Sequence, residues 1–416
     1  MFQTRTPRIT CVLGLLMLVG MAGSGLPAHA QPFDSGSDES DGALNITVAQ
    51  HGSSFVFDPA VFVPPLDTDG DNIYHFTTIS VEAGVTVRLA ANVLGSRPVH
   101  WLASGAVQID GVLDLSGEAG HHGTALHARS TAGAGGHGGG IGGAAGIGWR
   151  PGDGPGGGPG GGSAAGHVVV GDGSSPGTAY GTDFLLPLLG GSGGAGGSSG
   201  QPSEESGGGG AGGGALLIAS STSITIEGTM DMRGGCGGAH GAGSSSPGGA
   251  GSSGALRLMA NTIGGAGVLT AAKVTGCIGN AGSRGRIRME ASQFNFTGTG
   301  VPAPTVVTPG SVFPPAATPS LRLVSVAGIP VPANATGFFP PADLTIDEAA
   351  QVTVVIEASN VPLFTTVQLT LTPETGSRQI VTSTPLNGML DLSTATAQIT
   401  IPHGFSTFFL EAAWTP

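Results

Sequence analysis

Four carboxylates occupy matched places in two copies of one motif. Ile109-Asp-Gly-Val-Leu-Asp-Leu-Ser-Gly117 carries Asp110 and Asp114, and Ile226-Glu-Gly-Thr-Met-Asp-Met-Arg-Gly234 carries Glu227 and Asp231. If Ile109, Leu113 and Leu115 point inward, strand alternation turns the acids outward on one face. Stacked copies would then form an acidic patch two residues wide and two copies high. Carboxylates about 5–9 Å apart perform glycoside hydrolysis, one held protonated by its neighbour. The same oxygens suit Ca²⁺. The plainer reading is a water-facing acidic wall. A third copy has Ala266 and Thr270 nearby and no acids, which interrupts any regular ion ladder.

A basic column runs through Arg257, Arg286 and Arg288, with Glu290 close enough to neutralise one of them. Arginine grips carboxylates through two hydrogen bonds, which would suit an acidic polysaccharide; as a charged edge it would instead deter sheet-to-sheet aggregation. Asp67-Thr-Asp-Gly-Asp-Asn72 places Asp67, Asp69 and Asp71 at alternate positions, like the first half of a calcium loop. The later bidentate glutamate of an EF-hand is missing at its required distance, and an Asp/Gly turn accounts for the residues more simply. His121, His122, His127, His137, His167 and His240 follow no common period, so zinc or copper capture has little sequence support. No Ser/His/Asp elbow, phosphate loop with lysine or His-Glu-x-x-His is present.

These residues need a scaffold, and the repeat supplies one. Gly214-Ala-Leu-Leu-Ile, Gly254-Ala-Leu-Arg-Leu and Gly285-Arg-Ile-Arg-Met each open on glycine and then alternate. Glycine-led strands recurring with turns between them are the mark of stacked repeats. The fold class read here is all-β: a parallel β-solenoid in which Leu216, Leu256 and Ile287 share one interior line, followed by a second β domain. Cys236 and Cys277 fall just beyond the second half-motif of adjacent copies. Equivalent places on neighbouring coils lie about 4.8 Å apart, within reach of a disulfide; two free thiols or a two-cysteine metal site are the alternatives.

Glycine supplies 78 of 416 residues, charged residues only 10%, and the net charge is −13. An acidic, lysine-poor chain argues against nucleic acid and anionic membranes as partners. Residues 1–30 read as a Sec-type signal peptide with an apolar run too short to span a membrane, and no other transmembrane candidate follows. Residues 31–43 read as a flexible leader and 44–300 as the solenoid, interrupted by a Gly-rich insertion at 118–213. That insertion either packs as extended strands or stays a mobile loop pinned at Val168–Val170 and Phe184–Leu189; the mobile loop needs fewer assumptions. A Pro/Thr linker spans 301–319. Six or seven short alternating strands over 320–416 suggest an immunoglobulin-like or fibronectin-type sandwich, with Phe408, Phe409 and Trp414 in or beside its core.

The motif pair resembles the Gly-rich β-solenoid segments of exported bacterial proteins, adhesins and autotransporter passengers among them. The resemblance covers roughly residues 74–300 and is one of pattern. It implies a secreted or cell-surface structural or adhesive protein, more an extracellular binder of polysaccharide or cell-surface components than an enzyme, with calcium the only cofactor suggested. The alternative is a solenoid polysaccharide lyase or glycoside hydrolase using Asp110, Asp114, Glu227 and Asp231, with Arg257, Arg286 and Arg288 as substrate clamp. Ice or surface binding by a flat Gly/Thr-rich face is a third, more distant reading.

Overall fold

The computed structural model describes residues 32–416 except 124–127, 144–147, 200–204, 242, 244, 340, 348–349, 375–376 and 415–416. The signal-peptide reading and His127 therefore lie outside the described residues. Among the described residues, fourteen strands build the solenoid: β1 (Gly42–Ile46), β2 (Ser54–Val56), β3 (Ile73–Val81), β4 (Thr86–Arg88), β5 (Val99–Ala103), β6 (Val107–Ile109), β7 (Val112–Asp114), β8 (Ala215–Ile226), β9 (Thr229–Asp231), β10 (Ala255–Gly265), β11 (Val268–Thr270), β12 (Arg286–Phe296), β13 (Thr299–Val301) and β14 (Thr305–Val307). One wall is the parallel sheet β1-β3-β5-β8-β10-β12-β14, with β6 lying between β3 and β8. A second wall is the parallel sheet β2-β4-β7-β9-β11-β13.

Alternation fills the space between the walls. Leu216 pairs in register with Leu256, and Leu256 with Ile287, so the three form one interior column. A parallel column joins Trp101, Ile218, Leu258 and Met289. On the second wall Val87, Leu113, Met230 and Leu269 stack likewise. All belong to one buried cluster, in which burial of apolar area at about 25 cal/mol per Å² is the main stabilising term. Each coil turns its corner on glycine. A Cβ on Gly228 would sit 1.8 Å from the Gly111 carbonyl oxygen, so no larger residue fits this stacking.

The insertion is ordered in its described parts, and here the mobile-loop reading is corrected. After β7, β9 and β11 the chain runs into glycine-rich segments that close the coils and then stack outward as a bundle. Their backbone bonds recur every third residue. The amides of Gly117, Gly120 and Gly123 donate to the carbonyls of Arg233, Cys236 and Ala239. Those of Gly191, Gly194 and Gly197 donate to Gly213, Gly210 and Gly207, and those of Gly210, Gly207 and Gly213 donate onward to Gly249, Ser246 and Ser252. A period of three without bonds inside the segment is polyproline II geometry. It sends successive peptide groups toward different neighbours, so each segment bonds several others rather than two. The entropy cost of ordering glycine is offset by this dense pairing, which a sequence reading of isolated loops cannot count.

The leader is also bound rather than free. Phe33 exchanges backbone bonds with the Asn261 side chain, the Ser35 hydroxyl donates to the Ala103 carbonyl, and β1 begins at Gly42, inside the stretch read as flexible.

The C-terminal strands are β15 (Ser320–Val326), β16 (Ile329–Pro330), β17 (Gln351–Ser359), β18 (Val367–Pro373), β19 (Gln379–Thr382), β20 (Asn387–Gly388), β21 (Ser393–Thr400) and β22 (Ser406–Ala412). They form two antiparallel sheets, β16-β15-β17-β21-β20 and β19-β18-β22. Val354, Ile356, Leu369, Leu371 and Ile399 meet in a shared core, giving a β-sandwich. Phe408 packs partly buried against that core, while Trp414 is exposed. Among the described residues no helix is long and apolar enough to cross a membrane.

Candidate functional site

The four carboxylates form two columns rather than one patch, because a corner separates the halves of the motif. Strand β6 ends at Ile109 on the first wall and β7 starts at Val112 on the second. Asp114 and Asp231 are register partners on the second wall. Each is already matched: Arg88 donates to Asp114 at 2.9 Å, and Arg233 to Asp231 at 2.6 Å. Asp110 and Glu227 stand at the corner turns. Asp110 accepts from the Gln108 amide at 2.5 Å, and Glu227 from the backbone of Ala266 at 3.2 Å. Among the residues lining the two cavities beside β18 and β22, none of the four is found.

The arginine column exists in register, with Arg257 beside Arg288, but the chain covers it. Arg257 is buried, donates to Glu290 at 2.8 Å and caps the carbonyls of Ser311 and Val312. Arg288 reaches the same Glu290 oxygen at 2.7 Å, and Arg286 binds Asp183 and the Tyr180 carbonyl. Burial pushes the Glu290 carboxyl up, but its bonds to Arg257 and Arg288 outweigh this and hold it below its ordinary range. The outward face expected as an edge or clamp thus lies beneath residues 180–184 and 310–312, where its charges tie those segments to the wall.

Cys236 and Cys277 are joined in a disulfide with their Cα atoms 5.3 Å apart. It links the glycine-rich segment after β9 to the turn after β11. Among the described residues no histidine joins a cluster of three or more potential metal ligands. His167 is buried, stacked on Tyr180 at 4.6 Å, with Nδ1 2.7 Å from the Ser253 carbonyl. Burial drives it down to about 4, and His137 likewise, helped there by the positive Arg129. His240 pairs with the neighbouring Gly241 carbonyl.

Asp67, Asp69 and Asp71 do come together, each offering a carboxylate oxygen within 4.8 Å of the others. Asp67 also accepts the amides of Asp71 and Asn72, both at 2.9 Å, as a turn-forming aspartate does. Burial first, then the neighbouring Asp69 and Asp71, raise its carboxyl to about 6.

One constellation carries no motif in the sequence. Arg129 and Arg150, lone charges in a glycine-rich stretch, both lie over the Phe405 ring, at 4.8 and 4.3 Å, and Phe405 stacks on Phe339 at 4.6 Å. Asp153 pairs with both arginines. Arg150 also donates to the carbonyls of Thr372 and Pro373, and the Thr407 hydroxyl to Asp153. These contacts lock the bundle to β18 and β22. Two cavities flank the junction, of about 260 Å³ beside His137 and Arg378 and about 870 Å³ beneath Leu323, Phe338 and Phe408. The only signal available in sequence was the rarity of charge around Arg150-Pro-Gly-Asp153.

Toward the C-terminal ends of its strands the first wall leaves its outward side partly exposed. Asn45, Ser80, Gln108, Thr225, Gly264 and Asn295 are successive register partners across six coils, all at least partly exposed and all uncharged. Ser223, Thr262 and Gln293 make a second such row beside it. Neighbouring strands lie about 4.8 Å apart, so the rows offer hydroxyls and amides at that spacing, interrupted at Gly264 and with the Gln108 amide bonded to Asp110. No family model, curated protein or solved structure matches this chain.

Proposed function

We propose that this is an exported, non-enzymatic structural and adhesive protein whose solenoid presents a flat, uncharged hydrogen-bonding face to extracellular polysaccharide or cell-surface components. The polar column from Asn45 to Asn295 is the observation that carries this reading. Polysaccharide hydroxyls exchange water for side-chain amides and hydroxyls at little desolvation cost when no charge intervenes. A rigid face lowers the ordering cost of contact; the bonded glycine bundle and the Cys236–Cys277 link supply that rigidity, and the bond itself suits an oxidising, extracytoplasmic compartment. The sandwich adds support as a spacer or second head: the order β15-β17-β21-β20 against β19-β18-β22 follows the A-B-E-D and C′-C-F arrangement of immunoglobulin-like domains.

The test is retention on insoluble polysaccharides and on whole cells. Thr225→Arg and Gln108→Lys put charge into the column without touching the core, and should reduce retention several-fold at unchanged melting temperature. Equal retention of wild type and both variants refutes the assigned face. Turnover of pectin or alginate, abolished by Asp231→Ala, would replace the reading with the lyase or hydrolase.

A further inference from the structure

We propose that the cleft between the outer face of the sheet β19-β18-β22 and the glycine bundle binds a sugar residue that carries a carboxylate, with Arg378 as its anion contact. This site is separate from the polar column of the solenoid and does not depend on it. Strand alternation builds the floor. Val367, Leu369 and Leu371 enter the sandwich core, so Gln368, Thr370 and Thr372 of β18 turn the other way. Across the sheet Gln368 is the register partner of Glu411, Thr370 of Phe409 and Ile380, and Thr372 of Thr407. All of these line the cavity of about 260 Å³, and Pro155, Gly157, Pro176 and Thr178 of the bundle supply its other wall. Gln368, Ile380, Glu411 and Thr178 are exposed, so the cleft is open to solvent.

The charge of the cleft is uneven along this floor. Arg378 directly precedes β19, whose first residue pairs with Leu371, so it stands at the Thr372 end. Glu411 stands at the Gln368 end, four residues or about 13 Å along the strand. Asp153, the other carboxylate in the lining, is already taken by Arg129, Arg150 and the Thr407 hydroxyl. Among the described residues Arg378 has no ion pair. Its one hydrogen bond goes to the Gly152 carbonyl, and its Nε is buried without a partner. A guanidinium partly withdrawn from water without a counter-charge is costly, and a carboxylate, whose two oxygens match its fork, removes that cost. The remaining floor suits a sugar ring. Gln368, Thr370 and Thr178 offer amide and hydroxyl partners, and Phe409 offers an apolar face to the C–H groups of the ring. The volume lies just below that of pockets for drug-sized ligands, which fits a single sugar unit.

The test titrates the intact chain by calorimetry with galacturonic acid, galactose and acetate. Galacturonic acid should bind with a Kd on the order of 1 mM, at least about tenfold tighter than galactose, which lacks the charge, or acetate, which lacks the ring. Arg378→Gln should remove that preference while melting no lower than wild type, because it deletes a charge that nothing matches. Ile380→Glu alters a residue that is 62% exposed and sets a negative charge in the cleft. It should weaken galacturonic acid by about tenfold or more and leave galactose as before. Both variants should keep wild-type retention on insoluble polysaccharides, and Thr225→Arg should keep wild-type galacturonic acid binding, so the two sites fail separately. Equal affinity for galacturonic acid and galactose, acetate bound as tightly as galacturonic acid, wild-type binding in both cleft variants, or loss of galacturonic acid binding in Thr225→Arg would each overturn the assignment.

Discussion

Gly209 and Gly208 are neighbours in the bundle, yet alanine at the two should behave very differently. A Cβ on Gly209 would lie 1.9 Å from the Gly194 carbonyl oxygen and 2.5 Å from its carbon. Reaching even the 3.4 Å of an ordinary contact requires two backbones to part by the difference. The bonds that hold them there are Gly209 to Gly140 at 2.8 Å, Gly194 to Gly210 at 2.9 Å and Gly210 to Gly249 at 2.9 Å. Opening by that amount breaks at least two of them in a buried setting, at about 1–3 kcal/mol each. The alanine recovers only about 0.4–1 kcal/mol by stiffening the unfolded chain. A net loss of roughly 1–6 kcal/mol follows, a large share of a typical domain's stability. On Gly208 the nearest atom to a Cβ is the His121 amide nitrogen at 3.2 Å, which a small shift relieves, so Gly208→Ala should cost under about 1 kcal/mol. Urea unfolding gives the two differences. Hydrogen exchange of peptides covering 190–199 and 205–214 reports whether opening is local or global. Equal midpoints for the two variants, or wild-type protection in Gly209→Ala, would refute the interlocked-bundle argument.

Two further outcomes concern the covalent and ionic ties. Reducing the Cys236–Cys277 bond, which spans 41 residues, or replacing both cysteines with serine, should lower stability by about 3–4 kcal/mol, read as a fall in urea midpoint. Glu290→Gln leaves Arg257 buried without its counter-charge and should cost about 3–5 kcal/mol at pH 7. Because the Glu290 carboxyl is held below its ordinary value, its contribution is complete above the unfolded carboxyl value near 4.5 and disappears as pH falls through the depressed folded value. The stability gap between wild type and Glu290→Gln should therefore be flat from pH 7 to about 5 and close in stronger acid; a gap that widens on acidification contradicts the assignment.

Much of the scaffold is legible in the residues themselves. Leu216, Leu256 and Ile287 announce their shared column through glycine-led alternation, since a period of two allows only one face to be buried. The equivalent placement of Cys236 and Cys277 in adjacent copies follows from the same repeat. The carboxylates were harder: Asp110 and Asp114 share a motif, but the corner at Gly111 sends them to different walls, and only the stacked coils show it. The burial of Arg257 also depends on where residues 310–312 return, a contact between positions 54 and 55 residues apart along the chain.

Local pattern determines what each residue does with its immediate neighbours, and here it determined the strands, the stacking direction and the repeat. The glycine bundle escaped it for a physical reason. A glycine run has no side-chain periodicity to read, and its stability resides in peptide groups that meet partners from several distant segments at once. Only the tertiary structure decided that those runs become a lattice, that Arg129 and Arg150 end on Phe405, and that the arginine column is sealed while the polar one stays open.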